Sequence, residues 1–511
     1  MWKDIEDFEI DIVESNGTNN SRQAAWVALG SLFSFLVGIV SPMILSRYFD
    51  KADYGTYKQV MYVYNTLLAV FTLGLPKAYS YFLPKFESKY SRDIVNKITN
   101  IFWILGAVFS LLLFFGAGTI SRLLGNPDLY LALRYFAIVP VFMLPTMGLD
   151  SICASFQRTK ILAIYTVTSK LFIIACTILP VIFMNGNYIH AIIGFDIASA
   201  ISCLLALIIK NKLTACINKE KSLLTVKEIF GFSLPLLNAS LWGMVIASST
   251  QFFISRYYGN DVFADFSNGF MEIPFVGMII GAIATVLLPA FSKMDKGTGM
   301  TPETLNLWTS SMIKSAKIIF PMLVYSVFFA ETIMTCMYGN QYASSSYYFM
   351  IKNISGLFYI IPFAPIILAI GKTKEYARVH MLVALMIVLL EYLAVTIIDT
   401  PISVAITGEA CNMIKIILMS WIISKYAQLR LRNLYMIRPL LKILLCCVVS
   451  CCTTYMILNF ASLGKFVVLF ISLILFLFIY AIVCKLFKVK YRDIAESILP
   501  QRLSFIIRLL P

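Results

Sequence analysis

Charged side chains interrupt the long apolar stretches of this sequence, where each costs about 2.5–3.5 kcal/mol to insert into a bilayer. Charges kept at that cost are candidate functional groups. A lysine or arginine can bind an anion such as a phosphate, and a carboxylate can exchange a proton or hold a cation. The candidate anion-binding residues are Arg47, Lys77, Arg134, Lys170, Arg256, Lys352 and Lys415. The candidate ion-coupling residues are Asp196, Glu272 and Glu409; Asp150, Glu331 and Glu391 lie in similar stretches and receive no role.

Arg47 and Arg256 occur in a repeated motif. ILSRYFDKADYGTYK (44–58) and FISRYYGNDVFADFS (253–267) each place Ser-Arg-Tyr-aromatic at the end of an apolar helix, before a short polar turn and a further apolar helix. Two interpretations stay open. The arginines could face each other across the mouth of a cleft and bind phosphate or sugar. Alternatively, each caps the C-terminal carbonyls of its own helix, which is worth up to about 1 kcal/mol.

The remaining cations differ in depth. Lys170 and Lys415 lie near the middle of apolar runs, too deep to reach water easily, so each should line a cavity or join an interhelical ion pair. Lys77 lies nearer a helix end, in LGLPK, whose Gly and Pro loosen the helix. Arg134 and Lys352 take roughly corresponding positions in two helices, which favours a shared role in a cleft.

The carboxylates include one at a helix break. Glu272 stands in NGFMEIPFVG, where nearby glycines and a proline favour a kinked helix that exposes backbone to a cavity. Asp196 and Glu409 occupy nearly matching places in the sixth and twelfth predicted spans. Each of the three is either a proton or Na⁺ site or a structural hydrogen-bonding group.

The elements that position these residues are membrane helices. The chain has 511 residues, 59% of them hydrophobic and only 14% charged. Apolar stretches long enough to cross a bilayer recur from end to end, which predicts an all-α polytopic membrane protein with about 14 transmembrane helices; twelve is the fallback count. The predicted spans are 24–46, 59–83, 98–120, 129–153, 161–184, 188–209, 228–254, 262–290, 313–336, 347–370, 376–398, 401–424, 439–461 and 465–487.

The distribution of Lys and Arg predicts the orientation. With fourteen spans, 28 of these residues fall on the side that holds both termini and 6 on the other side, which places both termini in the cytoplasm. The same bias explains the net charge of +15, so no nucleic-acid partner is expected and the bilayer is the partner that the charge fits. The cysteines, including CCVVSCC at 446–452, lack nearby His, Asp or Glu and are expected to be packing residues, not metal ligands.

Four short segments recur in order at offsets of 205 to 214 residues: SRY at 46–48 and 255–257, the proline segments around 84 and 289, the Gly-Asn pairs at 125 and 339, and the Thr-Lys pairs at 159 and 373. The repeat unit is six helices, so the copies should be parallel, as two lobes around a central cleft. Two C-terminal helices lie outside the repeat. The predicted division is an acidic cytoplasmic tail (1–23), an N-lobe (24–209), a basic linker (210–227), a C-lobe (228–424), a linker with two extra helices (425–487) and a basic amphipathic tail (488–511).

LSRYFDKADYGTYKQ (45–59), LGLPKA (73–78) and YFLPK (81–85) resemble the start of Wzx-type polysaccharide flippases. These belong to the superfamily that includes multidrug/toxin extruders and lipid II flippases. The resemblance extends over essentially the whole chain and implies transport of an undecaprenyl-pyrophosphate-linked oligosaccharide between the leaflets of a bacterial inner membrane. It implies no cofactor, with H⁺ or Na⁺ as candidate coupling ions, and polysaccharide polymerases or assembly proteins as candidate partners.

Three alternatives stay open. A multidrug/toxin extruder usually has twelve spans and favours acidic cavities, whereas here the deep charges include several cations. A lipid II flippase is closer in chemistry. A membrane enzyme acting on lipid-linked glycans would need a large extracytoplasmic loop, and the longest outer loops are about a dozen residues. No G-x-x-x-x-G-K-[ST] phosphate loop is present, so ATP hydrolysis by this chain is not expected.

Overall fold

In the computed structural model, the regular secondary structure is helical throughout the described residues, which are 17–215, 217, 220–292, 301–360, 363, 366–367, 371–427, 436–459 and 464–491. Of the predicted tails at 1–23 and 488–511, residues 1–16 and 492–511 lie outside the described residues, whereas residues 17–23 form the start of the first helix. The N-lobe contains α1 Gly17–Tyr48, α2 Lys51–Phe71, α3 Pro76–Lys85, α4 Ser91–Leu124, α5 Leu129–Phe136, α6 Val139–Met143, α7 Leu149–Ser155, α8 Thr159–Phe183 and α9 Tyr188–Leu213. The C-lobe contains α10 Val226–Gly269, α11 Pro274–Ser292, α12 Pro302–Phe328, α13 Ala330–Tyr338, α14 Ser345–Gly356, α15 Thr373–Leu393 and α16 Pro401–Ala427. The extra pair is α17 Ile437–Asn459 and α18 Lys465–Leu486.

Glycines and prolines break several of the predicted spans. The second span is interrupted between α2 and α3 at Leu73 and Gly74, which both have positive φ. The fourth span is divided into α5, α6 and α7 around Pro145 and Gly148. Proline removes a helical donor, and glycine adopts positive φ without strain, so these residues interrupt the helical ladder where they occur. The N-lobe therefore surrounds its core with bent rather than straight spans.

The seventh predicted span and the first residues of the eighth form one helix, α10, which turns at Gly259 (φ 79°, ψ 177°); the rest of the eighth span is α11. The helix starts with a capping box, in which Thr225 and Glu228 satisfy each other's backbone donors. In the N-lobe, the equivalent turn between α1 and α2 is an N-cap: Asp50 accepts a hydrogen bond from the amide of Asp53. The equivalent turns of the two lobes thus differ: one is formed at a glycine with positive φ and the other by a side-chain N-cap.

Eleven described helical segments are long and apolar enough to cross a membrane. They correspond to eleven of the fourteen predicted spans; those absent are the seventh, eighth and tenth. The seventh lies in α10, whose serines, asparagines and glutamine lower its hydropathy, and the other two fall on α11 and α14, which are short in the described residues. The predicted all-α polytopic fold is confirmed.

The lobes meet chiefly where α2 packs along α10. Gly55 permits this contact, because a Cβ there would lie 2.2 Å from the carbonyl oxygen of Asn260. Outside the repeat, α17 packs on α12 and on α18. Cys446, Cys447 and Cys451 are buried in that packing, and no group of metal-ligand side chains is found in the described part of the chain.

Candidate functional site

We call the end of the bundle that holds Arg47 and Arg256 the outer end, following the predicted orientation, and the opposite end the inner end. At the outer end, Arg47 Nη2 donates to the carbonyl of Cys336 at 2.6 Å. Arg256 Nη1 donates to the carbonyl of Arg122 at 2.9 Å. Each acceptor is in the last turn of a helix in the opposite lobe, and the two acceptors are 214 residues apart, within the spacing of the repeat.

These contacts change the capping interpretation of the two arginines. Arg47 and Arg256 do cap helix C-termini, where carbonyl dipoles favour a cation. The capped helices are not their own, however: Arg47 at the end of α1 caps α13, and Arg256 in α10 caps α4. The arginines therefore hold the two lobes together and do not face each other across an open mouth.

Polar contacts between α2 and α10 also hold the two lobes together at the outer end. Lys51 Nζ forms an ion pair with Asp265 Oδ2 at 2.7 Å, in which the Asp265 side chain is 9% exposed. The hydroxyl of Tyr54 donates to Asn268 Oδ1 at 2.7 Å and is buried. We call these four interlobe contacts, Arg47–Cys336, Arg256–Arg122, Lys51–Asp265 and Tyr54–Asn268, the outer clasp. It closes the outer end of the cleft.

An interlobe cavity of about 480 Å³ lies beside the clasp, between α2 and α10. Among the described residues that line it, Lys58 carries a charge; the others are polar, aromatic or apolar. Tyr62 spans it by donating to the carbonyl of Ser248 at 3.2 Å. Its lining residues are Lys58, Met61, Tyr62, Asn65, Thr66, Ala69, Ser240, Gly243, Met244, Ala247, Ser248, Gln251, Phe266, Ser267 and Phe270.

Lys58 is the cavity's cation, and sequence reasoning missed it. The predicted second span began at residue 59, which left Lys58 in an outer loop. The helix begins at Lys51, after the Asp50 N-cap, so Lys58 lies two turns inside α2. Its side chain is half-buried, and its ammonium lies 5.3 Å from the centre of the Tyr54 ring. The ion pairs among the described residues do not include Lys58.

Lys77 lies on the same side of the N-lobe, nearer the inner end. It is exposed in the first turn of α3, just after the break at Gly74. Four residues further along the same helix face, the ring of Tyr81 stacks on Phe232 of α10, with centroids 4.3 Å apart. Lys77 therefore shares the face of α3 that is directed at the opposite lobe.

Three predicted site residues of the C-lobe come together. Lys352 Nζ lies 2.9 Å from Glu409 Oε1 and 3.4 Å from Glu272 Oε1, and 4.9 Å from the centre of the Phe270 ring. The Glu409 side chain is 3% exposed, whereas that of Glu272 is 74% exposed, so the Glu409 pair is the stronger. Because Phe270 also lines the interlobe cavity, the Lys352 group lies directly behind the cavity wall.

Glu391 of α15, a carboxylate in an apolar stretch that received no role from the sequence, extends this group. Its carboxylate is fully buried and accepts hydrogen bonds from Ser249, and from Thr250 at 2.5 Å. A Cβ at Gly408 would lie 2.8 Å from Glu391 Oε1, which places the carboxylate against α16 next to Glu409. We call Glu272, Lys352, Glu391 and Glu409 the C-lobe charge cluster.

The other predicted residues lie apart from the cavity. Lys415 donates to Asn412 of its own helix at 2.9 Å. Arg134 donates to the Tyr130 hydroxyl at 2.7 Å and lies 4.3 Å from the centre of the Phe114 ring, so it packs within its own lobe. The expected common role of Arg134 and Lys352 in a cleft is therefore not matched by their surroundings.

Lys170 and Asp196 of the N-lobe are half-buried in α8 and α9. Among the described residues neither forms an ion pair, and Asp196 Oδ1 is buried without a hydrogen-bond partner. Lys170 follows Ala163 and Thr166 on the face of α8 that contacts Gly30 of α1. The structure thus brings Glu272, Lys352 and Glu409 together and leaves Lys170 and Asp196 separate.

The sequence profile of the polysaccharide biosynthesis protein family matches residues 21–295, more than half of the chain. The lipid II flippase MurJ in an inward closed conformation aligns over 91% of this chain and 99% of its own, with a TM-score of 0.72 and 17% identity. An inward-facing MATE multidrug transporter of the MOP superfamily aligns over 80% and 99%, with a TM-score of 0.57 and 12% identity. The Vibrio cholerae MATE transporter VcmN aligns over 82% and 100%, with a TM-score of 0.53 and 13% identity. No curated protein sequence matches the chain.

Proposed function

Because this chain belongs to the polysaccharide biosynthesis protein family and has the fold of MOP-superfamily transporters, we propose that it translocates an undecaprenyl-pyrophosphate-linked oligosaccharide across the membrane. Membership and fold make it a membrane transporter of the flippase type. The lipid-linked substrate, its direction from the cytoplasmic to the outer leaflet and the mechanism of alternating access are the proposal.

The observation that carries the proposal is the interlobe cavity, which holds a single cation and is closed by the outer clasp. A pyrophosphate head group carries about two negative charges, and moving it through hydrocarbon would cost far more than one protein contact returns. A polar cavity with a lysine lowers that cost, because the ammonium forms charge-assisted hydrogen bonds with phosphate oxygens. The lipid tail stays in the bilayer while the head group crosses.

Two lysines mark a path along the N-lobe face of the cleft. Lys77 on α3 is nearer the inner end, and Lys58 on α2 lies beside the clasp. They are 19 residues apart in the sequence, with the helix break at Leu73 and Gly74 between them. We propose that Lys77 meets the head group first and that Lys58 holds it before the outer clasp opens. Aromatic and polar side chains of the cavity would contact the sugars, as Tyr62, Phe266 and Asn65 can do.

Opening of the outer clasp must then be coupled to a source of energy. The C-lobe charge cluster is the proposed coupling site, since it packs behind α10, and α10 carries both cavity residues and the Glu391 hydrogen-bond donors. Addition of a proton or Na⁺ at Glu391, Glu409 or Glu272 would change its contacts with Lys352 and α10. Asp196 is a second proposed proton site, in the N-lobe, because its buried oxygen has no described partner.

A lipid II flippase is the second candidate, because the MurJ fold is similar over nearly the whole chain. At 17% identity this likeness concerns the fold alone. The two candidates predict different trapped lipids. A lipid II flippase would be needed for the cell wall itself, and a polysaccharide flippase for a surface glycan.

The test is to deplete the protein in cells and to assign lipid-linked oligosaccharide to a leaflet with a membrane-impermeant reagent. Accumulation on the cytoplasmic leaflet, reversed when the protein is restored, is the expected result, and the trapped lipid identifies the sugar. Accumulation of lipid II instead would favour the second candidate. Intact surface glycan with no trapped lipid of either kind would overturn both.

Location and partners follow from the same proposal. The chain would lie in the inner membrane of a bacterium with both termini in the cytoplasm, and a polysaccharide polymerase or assembly protein would take up its product. Reporter domains fused after residue 511 and within the Gly259 turn test the orientation, which requires activity of a cytoplasmic reporter only at the first position.

A further inference from the structure

A second cavity, of about 340 Å³, lies at the inner end between α12, the start of α17 and the segment after α18. It is away from the interlobe cavity and shares no lining residue with it. Five of its lining residues are cations, and its apolar lining consists of Ile313, Pro439, Ile443 and Val489. The cations are Lys317, Arg438, Lys442, Lys488 and Lys490. We call this the inner basic cavity.

The segment after α18 is fixed against α12 at this cavity. Lys317, whose side chain is 8% exposed, donates to the carbonyl of Lys490. The hydroxyl of Tyr491 returns a hydrogen bond to the carbonyl of Lys317 at 2.9 Å. Lys488 adopts a left-handed conformation (φ 52°), which L-residues other than Asn and Asp rarely take. The lysines of this segment are therefore positioned by specific contacts.

Among the described residues, the lining of the cavity contains five cations and no carboxylate. The ion pairs found among the described residues involve none of Arg438, Lys442, Lys488 and Lys490. A general excess of cations at the inner end follows from membrane orientation, but it does not require five of them to share one cavity.

The start of α17 makes an anion still more favourable. Arg438 lies in the first turn of this helix and Lys442 in the second; backbone N–H groups of a first helical turn carry partial positive charge and disfavour cations. An anion bound between them would be stabilised by the side chains and by the helix N-terminus together. A phosphate group, with its compact negative charge and two oxygens that accept hydrogen bonds, would fit such a site.

The depth of the inner basic cavity in the membrane and the exposed leucines beside it indicate that the anion belongs to a lipid. Lys317 precedes the clasp residue Cys336 by 19 residues, about 28 Å along helices α12 and α13, so the cavity lies near the inner edge of the hydrocarbon layer. Next to the cavity, Leu441 and Leu445 are 52% and 54% exposed on one face of α17. An acyl chain could lie along them while its phosphate occupies the basic cavity.

We propose that the inner basic cavity binds the phosphate head group of an anionic membrane phospholipid. This site is separate from the transported substrate and does not depend on the proposed transport activity. Basic pockets between membrane helices on the cytoplasmic side recognise such head groups through several lysine and arginine contacts at once. The lipid would join α12 to the extra pair α17 and α18.

The test uses the full-length protein purified in detergent and titrated with phosphatidylglycerol, with phosphatidylcholine as the zwitterionic comparison and lipid binding read by native mass spectrometry. The variant Arg438→Gln/Lys442→Gln/Lys490→Gln removes three cavity cations. The matched control, Lys160→Gln/Lys227→Gln/Lys374→Gln, removes three exposed cations of the inner end outside the cavity. Each cation near a membrane surface is worth about fivefold in affinity, so the cavity variant should bind phosphatidylglycerol roughly 100-fold more weakly.

The control should keep wild-type affinity, and phosphatidylcholine should bind weakly to every form. Equal phosphatidylglycerol affinities in the two triple variants would overturn the proposal. Displacement of the lipid by inorganic phosphate at a similar concentration would overturn the lipid assignment in favour of a free-anion site. Should the triple variant not fold, Lys442→Gln alone decides the question, with about fivefold weaker binding expected and unchanged binding contradicting the proposal.

Discussion

Arg47 of the N-lobe and Arg256 of the C-lobe make equivalent contacts. The charged side chains deep within the two lobes, in contrast, differ in their partners. Each arginine caps a helix of the opposite lobe at equivalent positions. Inside the lobes the equivalence ends. Asp196 has no described ion-pair partner, while Glu409, at nearly the same place in the repeat, pairs with Lys352.

The two lobes therefore share their outer contacts but not their deep charges. The outer contact that must close the cleft symmetrically is kept in both copies. The cavity cation Lys58 comes from the N-lobe, and the paired carboxylates that pack behind the cavity wall come from the C-lobe. Binding of the head group and coupling to an ion would thus be assigned to different lobes.

The largest expected effect is on stability, and it compares the two lobes directly. Glu409→Gln leaves the Lys352 ammonium with only the exposed Glu272, which should cost roughly 3 kcal/mol of unfolding free energy, because a buried charge loses its partner. Thermal unfolding of the purified protein measures this. The double variant Lys352→Gln/Glu409→Gln should recover most of the loss.

Asp196→Asn is the matched N-lobe substitution. It should leave stability unchanged or raise it, because no described ion pair is broken. If Asp196→Asn and Glu409→Gln destabilise the protein equally, the lobes do not differ in the way described.

The second effect is on transport. Lys58→Gln removes the charge that lines the interlobe cavity and should reduce substrate transport about 10- to 100-fold, since a hydrogen bond to a charged group is worth about 1.5–3 kcal/mol. Membrane abundance should stay at the wild-type level. The matched control is Arg134→Gln, which removes a cation placed between aromatic rings of its own lobe. Equal loss in both variants would show that general charge, rather than the cavity, matters.

A third effect tests the symmetry of the outer clasp. Arg47→Gln and Arg256→Gln should each weaken the closed outer end by about 1 kcal/mol, since both hydrogen bonds are partly exposed. Each substitution should raise outer accessibility about fivefold, and together roughly 25-fold. Labelling of a cysteine introduced at the cavity position Ser248 with an impermeant thiol reagent measures this. A large effect of one arginine and none of the other would contradict a shared role.

The smallest effect is expected for Arg134→Gln itself. Loss of the Tyr130 hydrogen bond and the Phe114 contact should cost about 0.5–1 kcal/mol in stability and less than twofold in transport. Thermal unfolding and the transport assay measure both. A transport loss of tenfold or more would restore the predicted role of Arg134 in the cleft.

The membrane fold was predictable because length and hydropathy determine which segments can cross a bilayer. That Lys352 and Glu409 belong to one charge cluster was harder to predict from the sequence. They are 57 residues apart on different helices, and no local pattern specifies which faces meet. Lys58 could have been placed correctly, since the Asp50 N-cap signals a helix start eight residues earlier. For Glu391 no such signal exists, because its donors Ser249 and Thr250 are in another helix.

The arginine motif illustrates the same limit. The repeat predicted that Arg47 and Arg256 are equivalent, and a helix end predicted a capping role. Which helix each arginine caps depends on the packing of one lobe against the other, which sequence spacing does not encode. Each side chain reaches across the lobe boundary to a carbonyl in a helix that is remote in the chain.

The most direct measurement of the central claim is flipping in proteoliposomes. Lipid-linked oligosaccharide isolated from depleted cells would be reconstituted with the wild-type protein, Lys58→Arg or Lys58→Gln, and its appearance in the opposite leaflet followed with an impermeant reagent. We expect flipping by the wild type, partial flipping by Lys58→Arg and a loss of about 10- to 100-fold in Lys58→Gln. Equal flipping by the wild type and Lys58→Gln, or none by a folded wild type supplied with an ion gradient, would contradict the proposed transport role of the cavity.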